Sequence, residues 1–365
     1  MPLGSKWIDS NPGGSSVTGG RVRDLPLCYG GGVKSVLIIR YSALGDVVLA
    51  TSLIEPLRAK YPGVRIEWLT DAAFAPLLEG VVDRVVSFSR RDPLSRAAAV
   101  LALRGRFDLA IDLQNKLWSI RVARAAAPER KRFVRRTAWQ ALKSLVGRDV
   151  VLDDATAAEL YARAAELDMP GTTKLLVQPS ARERASQLLT PSPAPAGEGR
   201  GEGQSKWIAI APGAAWETKR WPAERFGQLG KAMQSRGFKV ALLGGPMDEP
   251  LLSGLRAQCT PDADFTNESL PVLAAALEKC ALMIGNDSGL VHIAQAVGAK
   301  PLAIFGPTSP RRWGPRAPGK ALSLGLSCAP CTNHGSHECP LKHHDCLQRL
   351  EVSQVVDECL KLVVA

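Results

Sequence analysis

The sequence predicts an α/β protein made of two similar halves, each a parallel sheet covered by helices. Three observations carry this. Short apolar runs of strand type alternate with helical stretches from residue 35 to residue 305. The alternation stops at a Pro/Gly-rich stretch and restarts at Trp207. The chain has 365 residues, 45% of them hydrophobic and 22% charged, enough for two domains with full cores.

The first 32 residues are rich in Gly and Ser, with no continuous apolar segment, and are expected to be a disordered extension rather than a secretory signal. Residues 35–40 (SVLIIR) are the first strand, and residues 41–46 (YSALGD) the loop after it. Residues 47–60 read as a helix closed by Tyr61-Pro62-Gly63. Residues 65–69, 81–88 and 107–113 are further strands, with helical stretches between them. The pattern breaks over 180–205, whose core TPSPAPAGEGRGEG has no apolar periodicity, so this segment is expected to be a linker. The second half opens with a strand at 207–211 and a helix at 222–236. A strand at 238–243, helices near 249–258 and at 270–279, a strand at 281–284, a helix at 288–297 and a strand at 301–305 follow. Residues 351–364 form a closing helix. The expected domains are therefore 33–179 and 206–350, facing each other across a cleft.

No apolar run reaches the ~18 residues that a membrane-spanning helix needs, so the expected compartment is the cytoplasm. The net charge of +11 is concentrated. Between Lys116 and Arg148 there are ten Lys/Arg and one acid, Glu129, which leaves only about +2 for the rest of the chain. Such a field attracts phosphates or an anionic membrane face, and Trp118, Phe133 and Trp139 in the same window suit an amphiphilic anionic partner. A solvated basic helix surface would have the same composition. No nucleic-acid-binding module is recognisable.

Three loops carry candidate chemistry. In Ser42-Ala43-Leu44-Gly45-Asp46 the carboxylate stands where ligands bind in open α/β sheets, beyond the carboxyl end of a strand. Asp46 there is either a base for an incoming hydroxyl or a helix cap, and spacing alone does not decide. With a single glycine, the loop lacks the G-x-G-x-x-G of dinucleotide-binding dehydrogenases. In the second loop, residues 211–222, backbone N–H groups near Gly213 are candidates to hold phosphate oxygens, and Lys219 and Arg220 to neutralise a diphosphate. In the third, Asp287 or Ser288 caps a helix whose N-terminus favours phosphate or sugar hydroxyls. Asp287 would repel a phosphate, and is better suited to a sugar hydroxyl or to orienting Lys219. His292 lies one turn in.

Together these segments resemble the heptosyltransferases of lipopolysaccharide core assembly, glycosyltransferase family nine. The matching pieces are VLIIRYSALGDVVLATSLIEPLRAKYPGVRIEWL, APGAAWETKRWPAERF, GNDSGLVHIAQAVGAKPLAIFGPTSPRRW and the cysteine-bearing tail, in family order and spacing. The resemblance implies a GT-B architecture of two Rossmann-like domains. It implies inverting, metal-independent transfer of a heptose from ADP-L-glycero-D-manno-heptose to a sugar hydroxyl of the lipopolysaccharide inner core, at the cytoplasmic face of the inner membrane. By the same resemblance Asp46 is the general base and Lys219 the contact to the donor phosphates. Asp287, Ser288, Gly289 and His292 match the donor-binding segment, and Glu249 in GGPMDEP matches a ribose-binding acid loosely; Gly213 and Thr218 of the second loop are expected at the same donor site from the residues themselves. Ala214 and Ala215 stand where some relatives have hydroxyl residues. The acceptor is expected on the first domain, at Ser42, Arg121, Arg124, Arg132, Arg135 and Arg136. Two alternatives stay open: a GT-B enzyme with another nucleotide sugar or acceptor, and a non-catalytic nucleotide- or lipopolysaccharide-binding protein.

Cys328, Cys331, Cys339 and Cys346 lie among four histidines at spacings that a tetrahedral zinc site can use. A structural zinc, a disulfide and packed free thiols are all compatible with that pattern. The proposed chemistry needs no metal from them.

Overall fold

The computed structural model describes residues 32–133, 155–190 and 206–364. The expected extension at the N-terminus, Trp139, Arg135, Arg136 and the Pro/Gly-rich 191–205 lie outside the described residues.

The first half is a five-stranded sheet of β1 (Ser35–Ile39), β2 (Arg65–Asp71), β3 (Arg84–Phe88), β4 (Leu109–Asp112) and β5 (Glu129–Arg132), in the order β3-β2-β1-β4-β5. Every pairing is parallel. Parallel strands need crossovers and are buried on both faces, which is why β1 reads as an unbroken apolar run. The second half is a six-stranded parallel sheet of β6 (Trp207–Ala211), β7 (Lys239–Leu242), β8 (Ala263–Asp264), β9 (Leu282–Asn286), β10 (Pro301–Ile304) and β11 (Lys320–Leu322). Its order is β11-β10-β9-β6-β7-β8. In both sheets the order reverses beside the first strand of the half, the position at which open α/β sheets form a binding crevice.

Several elements differ from the reading of the sequence. The helix expected over 47–60 begins three residues earlier, at Leu44. It runs as Leu44–Ala50 and Ile54–Lys60 joined by a 3-10 turn, Thr51–Leu53. The Thr51 and Ser52 hydroxyls donate to the carbonyls of Val48 and Leu49, the local competition that tightens a helix. Strand β5 (ERKR) has no apolar residue and carries no period-2 hydrophobic signal; it is an edge strand whose inward Lys131 pairs with Glu166 at 3.0 Å.

The segment read as linker begins with a helix, Pro179–Leu189. Its buried stripe is only Ala181, Ala185 and Leu189, too weak to signal a helix by hydrophobicity. Small residues on that stripe let it pack closely on the helix Leu270–Lys279 of the second half. Arg182 forks onto Glu278 (2.7 and 2.8 Å), and Arg184 onto Glu268. The closing helix Val352–Val364 buries Val355, Val356 and Cys359 against the second half. No helix among the described residues is long and apolar enough to cross a membrane.

Candidate active site

The carboxyl edges of the two sheets face one cleft of about 510 Å³. On the first side β1 ends at Ile39 and Arg40 turns inward, 4% exposed. Gln114, beyond β4, locks the following turn. Its side-chain oxygen accepts the N–H groups of Tyr41 and Ser42 (3.1 and 3.2 Å), and its nitrogen donates to Ser42 Oγ (3.0 Å). Ser42 thus lines the cleft, held by Gln114.

Asp46 lies in the first turn of the helix, not in the loop before it. The N-cap position is Ala43, which has no side-chain acceptor, so Asp46 Oδ2 takes the Ala43 N–H at 3.2 Å. The same oxygen meets Arg40 Nη2 at 2.5 Å, while Arg40 Nη1 donates to the Leu113 carbonyl. Asp46 Oδ1 accepts the hydroxyl of Tyr161, a buried residue of the helix Ala157–Ala164. The cap and base readings are therefore not exclusive, since the carboxylate caps the helix and still lines the cleft with 13% of its side chain exposed. Burial pushes the Asp46 proton affinity up, but the Arg40 charge, the Tyr161 hydroxyl and the Ala43 N–H outweigh it. They hold the carboxyl below the usual carboxylate range.

On the opposite side Lys219 Nζ pairs with Asp287 Oδ2 at 2.7 Å, the two side chains 12% and 7% exposed. Thr308 donates its hydroxyl to the same carboxylate oxygen at 2.7 Å. Asn286, at the end of β9, accepts the Trp221 N–H (3.0 Å) and donates to the Pro212 carbonyl (2.7 Å), which fastens the Lys219 loop to the sheet. Asp287 thus orients Lys219, one of the two roles its charge allows. Ser288 takes the N-cap position of the helix Gly289–Ala296 without a capping hydrogen bond. Its Oγ and the Nδ1 of His292 are buried without a hydrogen-bond partner. Such atoms are expensive unless a ligand or water completes them. Burial pushes His292 below the usual imidazole range, against the pull of Asp287 and Asp46.

Not every candidate reaches the cleft. Gly213 is covered by Asp248, whose carboxyl oxygens would stand 2.5–2.6 Å from a Cβ built there, and Ala215 and Trp216 line the cleft instead. Thr218 is buried away from the cleft. It donates to the Ser336 carbonyl (2.8 Å) and accepts the Ser336 N–H (2.9 Å), clasping the cysteine-bearing tail. Glu249 pairs with Arg256 at 2.8 Å, is 58% exposed and does not line the cleft. Arg124 and Arg132 face a separate hollow of about 300 Å³ with Arg130 and Lys131, and Arg121 is exposed on the helix Leu117–Ala126. On the first side, the cleft wall beyond Ser42 is made by Gln114, Asn115, Lys116 and Phe133. Trp118 packs against Tyr41 and Phe88, and Phe133 against Tyr161, each half-buried.

Arg40, Tyr161, Gln114, Trp313 and His334 also shape the site, and no local pattern in the sequence singles them out. Arg40 ends a run that reads as an ordinary strand, and Tyr161 lies 115 residues from its partner. Trp313 and His334 bring the tail into the cleft wall, with Trp313 Nε1 donating to the Asn333 carbonyl at 3.0 Å.

The model of glycosyltransferase family 9 (heptosyltransferase) matches residues 96–342.

The chain belongs to glycosyltransferase family 9.

This family-9 transferase is 29% identical over 307 residues to lipooligosaccharide heptosyltransferase 2 of Haemophilus influenzae, covering 76% of this chain and 84% of that one. It is 27% identical over 299 residues to lipopolysaccharide heptosyltransferase 2 of Escherichia coli, covering 75% and 83%. In fold it matches the structure of E. coli ADP-heptose LPS heptosyltransferase II with a TM-score of 0.68 at 23% identity, over 90% of this chain and 98% of that one. The E. coli heptosyltransferase WaaC with ADP matches at 0.63 and 20%, over 90% and 99%. The family-9 transferase therefore has the GT-B fold, with the described cleft between its two Rossmann-like halves.

The four tail cysteines of the family-9 transferase converge on one small hollow with His343 and His344. Burial, and after it the neighbouring thiols Cys331, Cys339 and Cys328, push Cys346 up to about 11. Among the described residues no group of three or more His, Cys, Asp or Glu side chains is arranged to hold a metal ion. His344 is engaged by the Thr218 carbonyl (2.8 Å) and His337 by Glu217 (2.9 Å).

Proposed function

We propose that this transferase moves a heptose from ADP-L-glycero-D-manno-heptose to a sugar hydroxyl of the lipopolysaccharide inner core, with inversion and Asp46 as general base. The observation that carries the reading is one cleft with a carboxylate held by Arg40 and Tyr161 on one wall and a lysine, a buried histidine and an unpartnered hydroxyl on the other. The relatives named as heptosyltransferases support the sugar, and the WaaC structures with ADP and ADP-2-deoxy-2-fluoro heptose support the donor.

In this mechanism the acceptor oxygen attacks the anomeric carbon from the Asp46 side. The carbon–oxygen bond to ADP breaks on the opposite face, and the acceptor proton passes to an Asp46 oxygen. A carboxylate held by Arg40 and Tyr161 is fully ionised but weakly basic. It therefore takes the proton late, once bonding to the anomeric carbon has made the acceptor hydroxyl acidic. Lys219, oriented by Asp287, meets the charge growing on the leaving diphosphate. His292 and Ser288 offer their open positions to donor hydroxyls or phosphate oxygens. With this lysine at the leaving group, the reading needs no metal. The acceptor is lipid-borne and anionic, so the enzyme works at the cytoplasmic face of the inner membrane, with the basic segment from Lys116 onward attracting acceptor phosphates.

The test is an ADP-release assay with ADP-heptose and a panel of truncated lipopolysaccharide acceptors. Release that needs both substrates supports the reading. Equal turnover with another nucleotide sugar, or ADP binding with no turnover on any acceptor, rejects it.

A further inference from the structure

The helix Pro93–Leu103 follows β3 and buries Ala99 and Leu103 against the first sheet. Its outer side is apolar as well. Leu94 is 81% exposed and Leu101 69%, with the exposed Ala97 and Ala98 between them at helical spacing. The helix Leu117–Ala126 packs alongside and opens with Leu117, 80% exposed. A surface helix ordinarily turns a polar face to water. A stripe of leucines and alanines running about 10 Å along the axis marks a surface that something covers.

Charge indicates what covers it. Arg91, Arg104 and Arg121 are exposed around the stripe, and Arg96 lies over the Trp118 ring. Over 90–124 there are eight Lys/Arg against three Asp. Of those acids Asp92 is the helix N-cap, Asp108 is bound to backbone N–H groups of Lys34 and Ser35, and Asp112 is buried. An apolar stripe inside a cationic rim is complementary to an anionic bilayer, whose headgroups meet the arginines while the leucines enter the acyl boundary. Both helices start at the carboxyl edge of the first sheet, the edge that carries Ser42, Gln114 and Lys116 into the cleft.

We infer that the outer face of Pro93–Leu103, with Leu117, is a docking surface for an anionic lipid bilayer that holds the cleft mouth at the membrane. The inference rests on the proposed lipid-borne acceptor and identifies the surface that brings the enzyme to it. It is distinct from the contacts expected at Trp118 and Phe133, which are half-buried.

The test uses the full chain with phosphatidylcholine vesicles with and without phosphatidylglycerol. The unmodified protein co-sediments with the anionic vesicles, less so as salt rises, and amide exchange slows over residues 93–103 on binding. Leu94→Glu with Leu101→Glu weakens binding by about tenfold or more, since burial of each leucine is of that order, and the ADP thermal shift stays unchanged. No binding by the unmodified protein, protection confined to other segments, or unchanged binding by the double variant overturns the inference. So does self-association through this face in place of vesicle binding. ADP release with a water-soluble truncated acceptor reads the transferase reaction separately. Release without vesicle binding rejects the surface and keeps the transferase, and vesicle binding without release does the reverse.

Discussion

Gly45 and His292 meet across the cleft so closely that a Cβ on Gly45 would stand 2.7 Å from His292 Cδ2. The same close approach recurs one turn away, where a Cβ on Gly289 would stand 2.7 Å from the Leu44 side chain. Two helix starts, one from each half, are thus packed glycine against side chain, which brings Asp46 and His292 into one site.

Gly45→Ala therefore pushes the imidazole out of its position. Such overpacking is expected to lower stability by about 1–3 kcal/mol and to reduce kcat/KM, read by thermal unfolding and ADP release. In a His292→Ala background the same change should be nearly neutral for stability, because the ring it strikes is gone. Equal losses in both backgrounds would reject the contact as the cause.

Asp46→Asn keeps the cap geometry and removes the base. Transfer is expected to fall by roughly 10²–10⁴-fold with ADP binding retained; near-normal turnover would sink the assignment.

The Asp46 carboxyl has a depressed proton affinity, so its stabilising contribution is complete above the ordinary carboxylate pKa. That contribution fades as pH falls through the depressed folded value. The acid limb of kcat/KM is accordingly expected below the usual carboxylate range. Tyr161→Phe removes a lowering hydrogen bond and should move that limb upward, at a stability loss of about 1 kcal/mol. A limb that stays in place would mean that another group titrates.

Lys219→Ala strands Asp287 with its charge buried. Breaking a buried pair in this way costs about 3–5 kcal/mol, and donor KM is expected to rise while kcat falls. Adding Asp287→Asn should restore much of the melting temperature and none of the activity. Recovery of both would indicate a purely structural pair.

Thr218→Val cuts the two hydroxyl bonds to Ser336 and leaves the backbone bond from the Thr218 N–H to the Ser336 carbonyl, so the tail is loosened against the Lys219 loop. The tail carries His334 into the cleft wall, and Gly335, at φ +100, lies against the Trp216 indole. A drop of about 1–2 kcal/mol with a raised donor KM is expected. An unchanged KM would mean that the tail does not shape the donor side.

The sequence by itself determined the alternation of strands and helices, the two halves and the loops at the strand ends that carry Asp46, Lys219, Asp287 and His292. These are local signals: period, glycine and cap chemistry within a dozen residues. Only the tertiary structure decided which neighbours those residues have. Arg40 and Tyr161 come to Asp46 from a strand end and from a helix 115 residues on, and no local pattern encodes that meeting. Edge strand β5 and the helix Pro179–Leu189 are stabilised by pairing and ion forks with distant partners, so their own composition does not signal them. Thr218 stands beside the cleft residue Lys219 in sequence yet faces the tail, and Glu249 pairs with Arg256 outside the cleft. The direction of a side chain is set by packing across the sheet and between the halves, and that is what spacing along the chain does not carry.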